Sequence, residues 1–209
     1  MKNQKEKPQG ILTSMTWVKN EKWNGIFDPN DAKKSNFKFA KEKGYLAEFA
    51  NFAHMDKKRI EDDGYYIGYS PTMKISNQYP AVSNRANIKV IFLKSLNYEK
   101  KKHYVVGFYA FPLMAVKDTG DDSEQFFRKD QSPGQFKALP KSIHILENFV
   151  EISNDIVDDK GLLTNKKMPS QGYAYLYKDN IENMLDYMIE LNPTDEKLLA
   201  LADKIKNAL

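Results

Sequence analysis

Residues 88–109 read IKVIFLKSLNYEKKKHYVVGFY, two apolar runs joined by a polar, lysine-rich connection. The run Val90-Ile91-Phe92-Leu93 is too short for a helix, and residues 104–109 are again β-branched and aromatic. Runs that are apolar at successive positions, not at every second one, mark strands covered on both faces. Gly107 stands inside the second run, where a side chain would obstruct a close neighbour. The pattern predicts two central strands of one sheet, with an exposed loop from Lys94 to His103 projecting Lys100, Lys101 and Lys102. Function is expected beside this hairpin.

A chain of 209 residues can bury roughly 70% of its unfolded surface, so a core forms without staples. The absence of cysteine excludes disulfides, thiolate zinc sites and cysteine nucleophiles, and it permits a reducing, cytoplasmic setting. The three histidines, His54, His103 and His144, lack the spacing of a metal cluster. The start MKNQKEKPQG has no apolar signal core, and no run approaches the ~20 residues that cross a bilayer. A soluble protein with no membrane partner is expected. The formal net charge of +4 is carried almost wholly by lysine, since Arg59, Arg85 and Arg128 are the only arginines. That balance attracts polyanions without demanding them.

Residues 1–10 read as a disordered basic lead-in, residues 11–192 as one domain, and residues 193–209 as a C-terminal helix serving as a linker to a further domain. Residues 11–18, ILTSMTWV, alternate as a strand, and a polar turn separates Trp17 from Trp23. A short helix ends near Gly44, and Asp63-Gly64 marks a turn before YYIGYSP, a strand closed by Pro71. The acidic run DTGDDSEQ reads as a solvated excursion. Further strands are expected at LMAV after Pro112, near residue 138, and at YAYLY, whereas residues 143–152 fit a strand or a short helix. Asp179 and Glu182 suggest a capping box for a helix that stops at Asn192-Pro193. Thr194 is expected to cap a last helix with Leu198, Leu201, Ala202, Ile205 and Leu209 in one stripe.

No phosphate-binding loop, dinucleotide fingerprint, zincin helix or nucleophile elbow occurs. Acidic-x-Lys triplets at 99–101, 158–160 and 195–197 are what chance supplies in a chain with 29% charged residues. His54 and Asp56 read as solvated neighbours. No catalytic constellation, metal site or cofactor is indicated. The aromatic residues say more: tyrosine and phenylalanine number twelve each, many beside glycines and turns. A pocket for a modified nucleobase needs flat apolar walls and an amide or hydroxyl to read the base edge. Trp17, Trp23, Tyr65, Tyr66, Tyr69, Phe108 and Tyr109 are possible walls; Asn51, Ser83, Asn84 and Asn97 are possible readers. Most of these rings must belong to the ordinary core of a β-rich domain.

Three segments occur in a familiar order: EFANF at 48–52, GYYIGY at 64–69, and VIFLKS followed by YVVGFY ending at Tyr109. Their order resembles the N-terminal reader domains attached to HNH nucleases and McrB-like motor subunits in modification-dependent (type IV) restriction systems, part of the wider PUA, EVE and YTH-like group. Ser95-Leu96-Asn97 is similar to the Ser-x-Asn stretch of YTH domains, and PSQGYAYLY before a helix resembles the tail of the same domain type. The likeness covers most of residues 11–191. It implies an α+β fold, a twisted barrel-like sheet with flanking helices, holding a flipped base in an aromatic pocket. Such readers carry tryptophan or another aromatic where this chain has Ala50, and often tryptophan where it has Phe108, which leaves the recognised base open.

The resulting expectation is a non-catalytic reader of methylated DNA, fused to or associated with a motor or nuclease domain. Its pocket would draw on Trp17, Trp23, Asn51, Tyr65, Tyr69, Ser95, Asn97 and Tyr109. Lys57, Lys58, Arg85, Lys100, Lys101 and Lys102 would hold phosphates without reading sequence. An RNA reader of the same fold, a metal-dependent nuclease with an unrecognised site, and a protein-interaction domain using the last helix remain alternatives.

Overall fold

The two apolar runs form the middle of a five-stranded sheet in the computed structural model, which describes residues 7–35, 38–44, 46–73, 85–115, 126–130, 132–169 and 172–209. Residues 1–6 of the basic lead-in, the candidate readers Ser83 and Asn84, and the acidic run 118–125 lie outside the described residues. In chain order the strands are β1 (Gly10–Met15), β2 (Tyr66–Gly68), β3 (Val90–Asn97), β4 (Lys102–Ala110), β5 (Leu113–Met114), β6 (Phe126–Phe127), β7 (Pro133–Gly134), β8 (Phe136–Ala138), β9 (Ile143–Ile152) and β10 (Tyr173–Leu176). The helices are α1 (Pro29–Lys34), α2 (Lys38–Lys43), α3 (Asn154–Asp159), α4 (Lys178–Leu191) and α5 (Glu196–Lys206).

The main sheet has the order β10-β1-β3-β4-β9; a three-stranded sheet has the order β2-β8-β5, and β6 pairs with β7. All main-sheet neighbours are antiparallel except β1 and β3, which run parallel from Gly10 opposite Val90 to Met15 opposite Ser95. Parallel neighbours need a long crossover. The intervening chain includes α1, α2 and β2, and Ala32 of α1 and Tyr66 of β2 join the core on one face of the sheet.

Both faces are covered, as the continuous apolar runs predict. Ile91, Leu93, Val106 and Tyr109 face a first core containing Ile11, Met15, Phe49, Phe52, Tyr66 and Phe136. Val90, Phe92, Val105 and Phe108 face a second core under α4 and α5, which insert Ile181, Met184, Leu185 and Met188, and Leu198, Leu201 and Ile205. The apolar stripe of the last helix is thus spent within this core.

The fold is α+β, but the sheet does not close into the expected barrel. Closure would require β9 and β10 to pair. Instead the Asn192 side chain covers the outer edge of β9, its Oδ1 accepting from Asn148 N at 2.7 Å and its Nδ2 donating to Asn148 O at 3.0 Å. The Asn148 backbone groups are thereby satisfied and offer nothing to another strand at that position. Buried His144 of β9 and Asp195 lie 2.6 Å apart, and Asp195 Oδ1 accepts from Leu198 N at 3.0 Å. Asp195, not Thr194, therefore caps α5 and ties it to the sheet. The start of α4 also differs from expectation: Tyr177 is the cap residue, and Asn180 Oδ1 accepts from Tyr177 N at 3.3 Å. Residues 143–152 are strand throughout. Among the described residues, no helix is long and apolar enough to cross a membrane.

The hairpin turn is shorter than the sequence suggests. After the register slips between Leu93 and Lys94, pairing resumes and continues to Asn97 opposite Lys102, which leaves residues 98–101 as the turn. Lys94 is consequently in the strand and 2% exposed, and burial pulls its pKa down to about 8. Gly107 meets the obstruction its position implied: a Cβ there would lie 2.3 Å from the His144 carbonyl oxygen and 2.6 Å from the Phe52 ring. Backbone cannot move aside without disturbing the β4–β9 ladder. Gly107→Ala is expected to lower stability by about 1–3 kcal/mol, measured by urea denaturation.

Candidate functional site

The hairpin turn sends its three lysines in different directions. Asn97, buried at the end of β3, accepts from both Glu99 N and Lys100 N at 3.0 Å, the local bonding by which asparagine stabilises turns. Lys101 takes a left-handed conformation at φ 55°. Lys102 pairs with Glu151 on β9 at 2.8 Å. Lys100 returns over the Tyr104 ring, its Nζ 5.8 Å from the centroid. A single turn thus offers Lys100 and Lys101 to a polyanion while Lys102 staples the strands.

A cavity of about 270 Å³ opens beside this turn, lined by Trp17, Tyr104, Phe149, Lys100, Glu21 and Glu147, with Asn148. Its rings come from three places: Trp17 from the exit of β1, Tyr104 from β4 and Phe149 from β9. Trp17 meets Phe149 at 5.9 Å and 87°, and Tyr104 at 6.0 Å and 49°. Tyr104 and Phe149 are half-buried, whereas Glu21 and Glu147 are exposed.

Trp23 braces this wall from behind. It is fully buried, lies edge-on to Trp17 at 5.5 Å, packs on Phe149 at 5.8 Å, and donates from Nε1 to Thr16 O at 2.8 Å. The backbone just before Trp17 is held a second time, because Thr16 N donates to Glu48 Oε1 at 2.8 Å. Glu48 has no solvent exposure, and its Oε2 has no hydrogen-bond partner among the described residues. Burial raises its pKa from 4.5 to about 7, against the lowering effects of the Thr16 hydrogen bond and the Arg128 charge.

The other expected pocket residues are distributed elsewhere. Fully buried Asn51 works as a strand-like clasp: its Nδ2 donates to Tyr69 O at 2.7 Å, its Oδ1 accepts from Tyr69 N at 2.9 Å, and Arg128 Nη2 donates to the same Oδ1 at 3.3 Å. The amide therefore has no free edge to read a base. Tyr109 is fully buried and its hydroxyl donates to Asn51 O, while Phe136 packs edge-on at 4.9 Å. Buried Ser95 donates to Met15 O at 2.9 Å. Half-buried Tyr65 sits under Lys137, whose Nζ is 4.9 Å from the ring centroid. Tyr69 is half-buried, and burial pushes its phenol up to about 12. Arg85 is buried and donates to Ala115 O at 3.0 Å, so its guanidinium is engaged inside the protein.

Lys57 and Lys58 are exposed on a 3-10 turn that Asp56 caps by accepting from Lys58 N at 3.0 Å. Lys58 also lines a second cleft of about 260 Å³ with Arg59, Tyr66, Arg128, Lys129 and two carboxylates, Asp56 and Asp130. His54 is not a solvated neighbour of Asp56 but a buried side chain whose pKa burial lowers to about 4. No group of three or more metal-ligating side chains occurs among the described residues.

Of the expected wall residues, only Trp17 joins the hairpin cavity, together with Lys100 from the expected phosphate contacts. Tyr104 and Phe149 were missed as walls because each lies on a strand whose facing direction depends on a register slip; β4 and β9 slip between Val105 and Gly107. Glu48 and Arg128 were missed as supports. Arginine scarcity was the one signal for Arg128, which donates to Ile67 O at 2.9 Å and Ala47 O at 2.5 Å. The chain matches no family model, no curated protein and no solved structure.

Glu48 makes stability depend on pH. A carboxyl whose pKa is raised on folding contributes stability that is fully present below its unfolded value, near 4.5, and is lost as pH rises through about 7. Glu48→Gln keeps an acceptor for Thr16 N–H and does not titrate. Between pH 4.5 and 7 the wild type should therefore lose stability relative to this variant, by up to ~3 kcal/mol. Paired urea titrations across that range measure the difference; a constant gap would show that Glu48 does not titrate there.

Proposed function

We propose that this chain binds nucleic acid containing a modified base, DNA in the first instance, by taking the flipped base into the Trp17–Tyr104–Phe149 cavity. The observation that carries the reading is that three aromatic rings line one cavity beside a turn presenting Lys100 and Lys101. Lysines on the turn bind phosphate, and the rings provide the stacking surface that repays extrusion of a base. Stacking contributes roughly 1–3 kcal/mol per base, comparable with the few kcal/mol that flipping costs. A buried methyl adds on the order of 1 kcal/mol. The motif order that resembles PUA, EVE and YTH-like readers supports the same reading. On that reading the chain is a non-catalytic, cytoplasmic specificity module of a modification-dependent restriction system, working with a motor or nuclease domain.

Fluorescence anisotropy with matched oligonucleotides tests it, using unmodified strands and strands methylated on exocyclic groups or on ring atoms. At least one methylated strand should bind several-fold tighter than its unmodified counterpart, and Tyr104→Ala should remove that preference. Replacing Lys100 and Lys101 by alanine should weaken all strands alike and reduce the log–log salt slope by up to ~2. Equal affinity for every strand would overturn the reading, and tighter binding to the RNA forms would assign the pocket to RNA.

A further inference from the structure

We infer that the hairpin cavity selects a positively charged base, one methylated on a ring nitrogen, over a neutral base methylated on an exocyclic group. The inference rests on the reading that this cavity takes a base, and it concerns which class of base. Three features of the cavity lead to it.

The first is ring geometry. A neutral flat base is held best in a slot between parallel rings. Here Trp17 stands at 87° to Phe149 and 49° to Tyr104, with centroids 5.9 and 6.0 Å apart. Rings that close already touch one another, so no base slides between them. Inclined rings instead make a cup, and the negative face of an aromatic ring attracts cations.

Charge is the second feature. Glu21 and Glu147 both line the cavity, both are exposed, and neither forms an ion pair among the described residues. Two exposed carboxylates beside a polyanion-binding turn repel phosphate, which works against binding unless the ligand inside the cup is cationic. A base such as 1-methyladenine or 3-methylcytosine, protonated at neutral pH, or 7-methylguanine, with its cationic imidazole ring, pairs its charge with these carboxylates.

The third feature is Lys100, the cation among the lining residues, whose Nζ stands 5.8 Å from the Tyr104 centroid. That ring already receives a cation within cation–π distance. A charged base placed in the cup would take up the same kind of contact with Tyr104 while Lys100 turns outward to phosphate.

The isomers 1-methyladenine and N6-methyladenine separate charge from size, because they contain the same heavy atoms and the first carries an extra proton at neutral pH. Single-stranded oligonucleotides are used, so that the base pairing destroyed by methylation at N1 does not enter. The full chain should bind the 1-methyladenine strand about tenfold tighter than the N6-methyladenine strand. The double variant Glu21→Gln/Glu147→Gln should erase that preference, bringing the 1-methyladenine and N6-methyladenine strands to equal affinity. If both methylated strands bind tighter than the unmodified strand but N6-methyladenine equals or exceeds its isomer, the cavity reads a neutral base and the inference fails. A preference that survives in the double glutamine variant also overturns it, since the carboxylates would not be its source. Equal affinity for all three strands, or tighter binding of a trimethyllysine peptide than of any strand, removes the base-binding reading itself.

Discussion

Polar groups that the crossover buries against the inner face of the sheet must be paired there, and the Asn51 side chain meets much of that requirement. A buried donor or acceptor left alone costs about 1–3 kcal/mol. Asn51 engages Tyr69 through both halves of its amide, accepts from Arg128 as well, and receives the Tyr109 hydroxyl on its backbone carbonyl. The 46–52 turn is thereby fastened at once to the crossover strand region, to the central hairpin and to the segment carrying Arg128. Arg128 extends the knot to Ala47 O and Ile67 O.

From that knot the order passes outward to the cavity. Glu48 sits in the same turn and holds Thr16 N, Thr16 O holds the Trp23 indole, and Trp23 packs against Trp17 and Phe149. Each link is buried, and a buried chain of hydrogen bonds and ring contacts leaves little rotamer freedom to the walls it supports. The weak point is Glu48, whose second oxygen has no partner among the described residues and whose charged form is disfavoured by burial. The backbone just before Trp17 is therefore held by a carboxyl whose pKa burial raises to about 7.

Much of the main sheet was legible because its signal is local. Continuous apolar runs at 90–93 and 104–109 specify covered strands, Gly64 and Gly44 take the left-handed conformations their turns require, and a side chain at Gly107 would collide with its neighbours. The site was less legible. Trp17 and Lys100 do meet at the hairpin cavity, yet Trp23, Asn51, Ser95 and Tyr109 are spent in the protein's own packing and bonding. An aromatic or amide side chain suited to holding a ligand is equally suited to holding the fold, and residue type does not distinguish the two uses.

The sequence by itself determined the central hairpin, most strand positions and the amphipathic faces of the last two helices, since these follow from local patterns: continuous or alternating apolar runs for strands, spacing of three or four residues for helices. Tertiary structure decided what depends on distant residues. The main sheet stays open, with Asn192 bound to Asn148 on β9, although its strand content would also suit a barrel. The register slip at Val106 sets which side chains of β4 look inward and turns Tyr104 toward Trp17, while Lys94 is buried on the unbroken β3. A one-residue slip exchanges the faces of a strand. The cavity arises where the exit of β1 meets β4 and β9, and for that reason its walls could be recognised only after those strands were aligned.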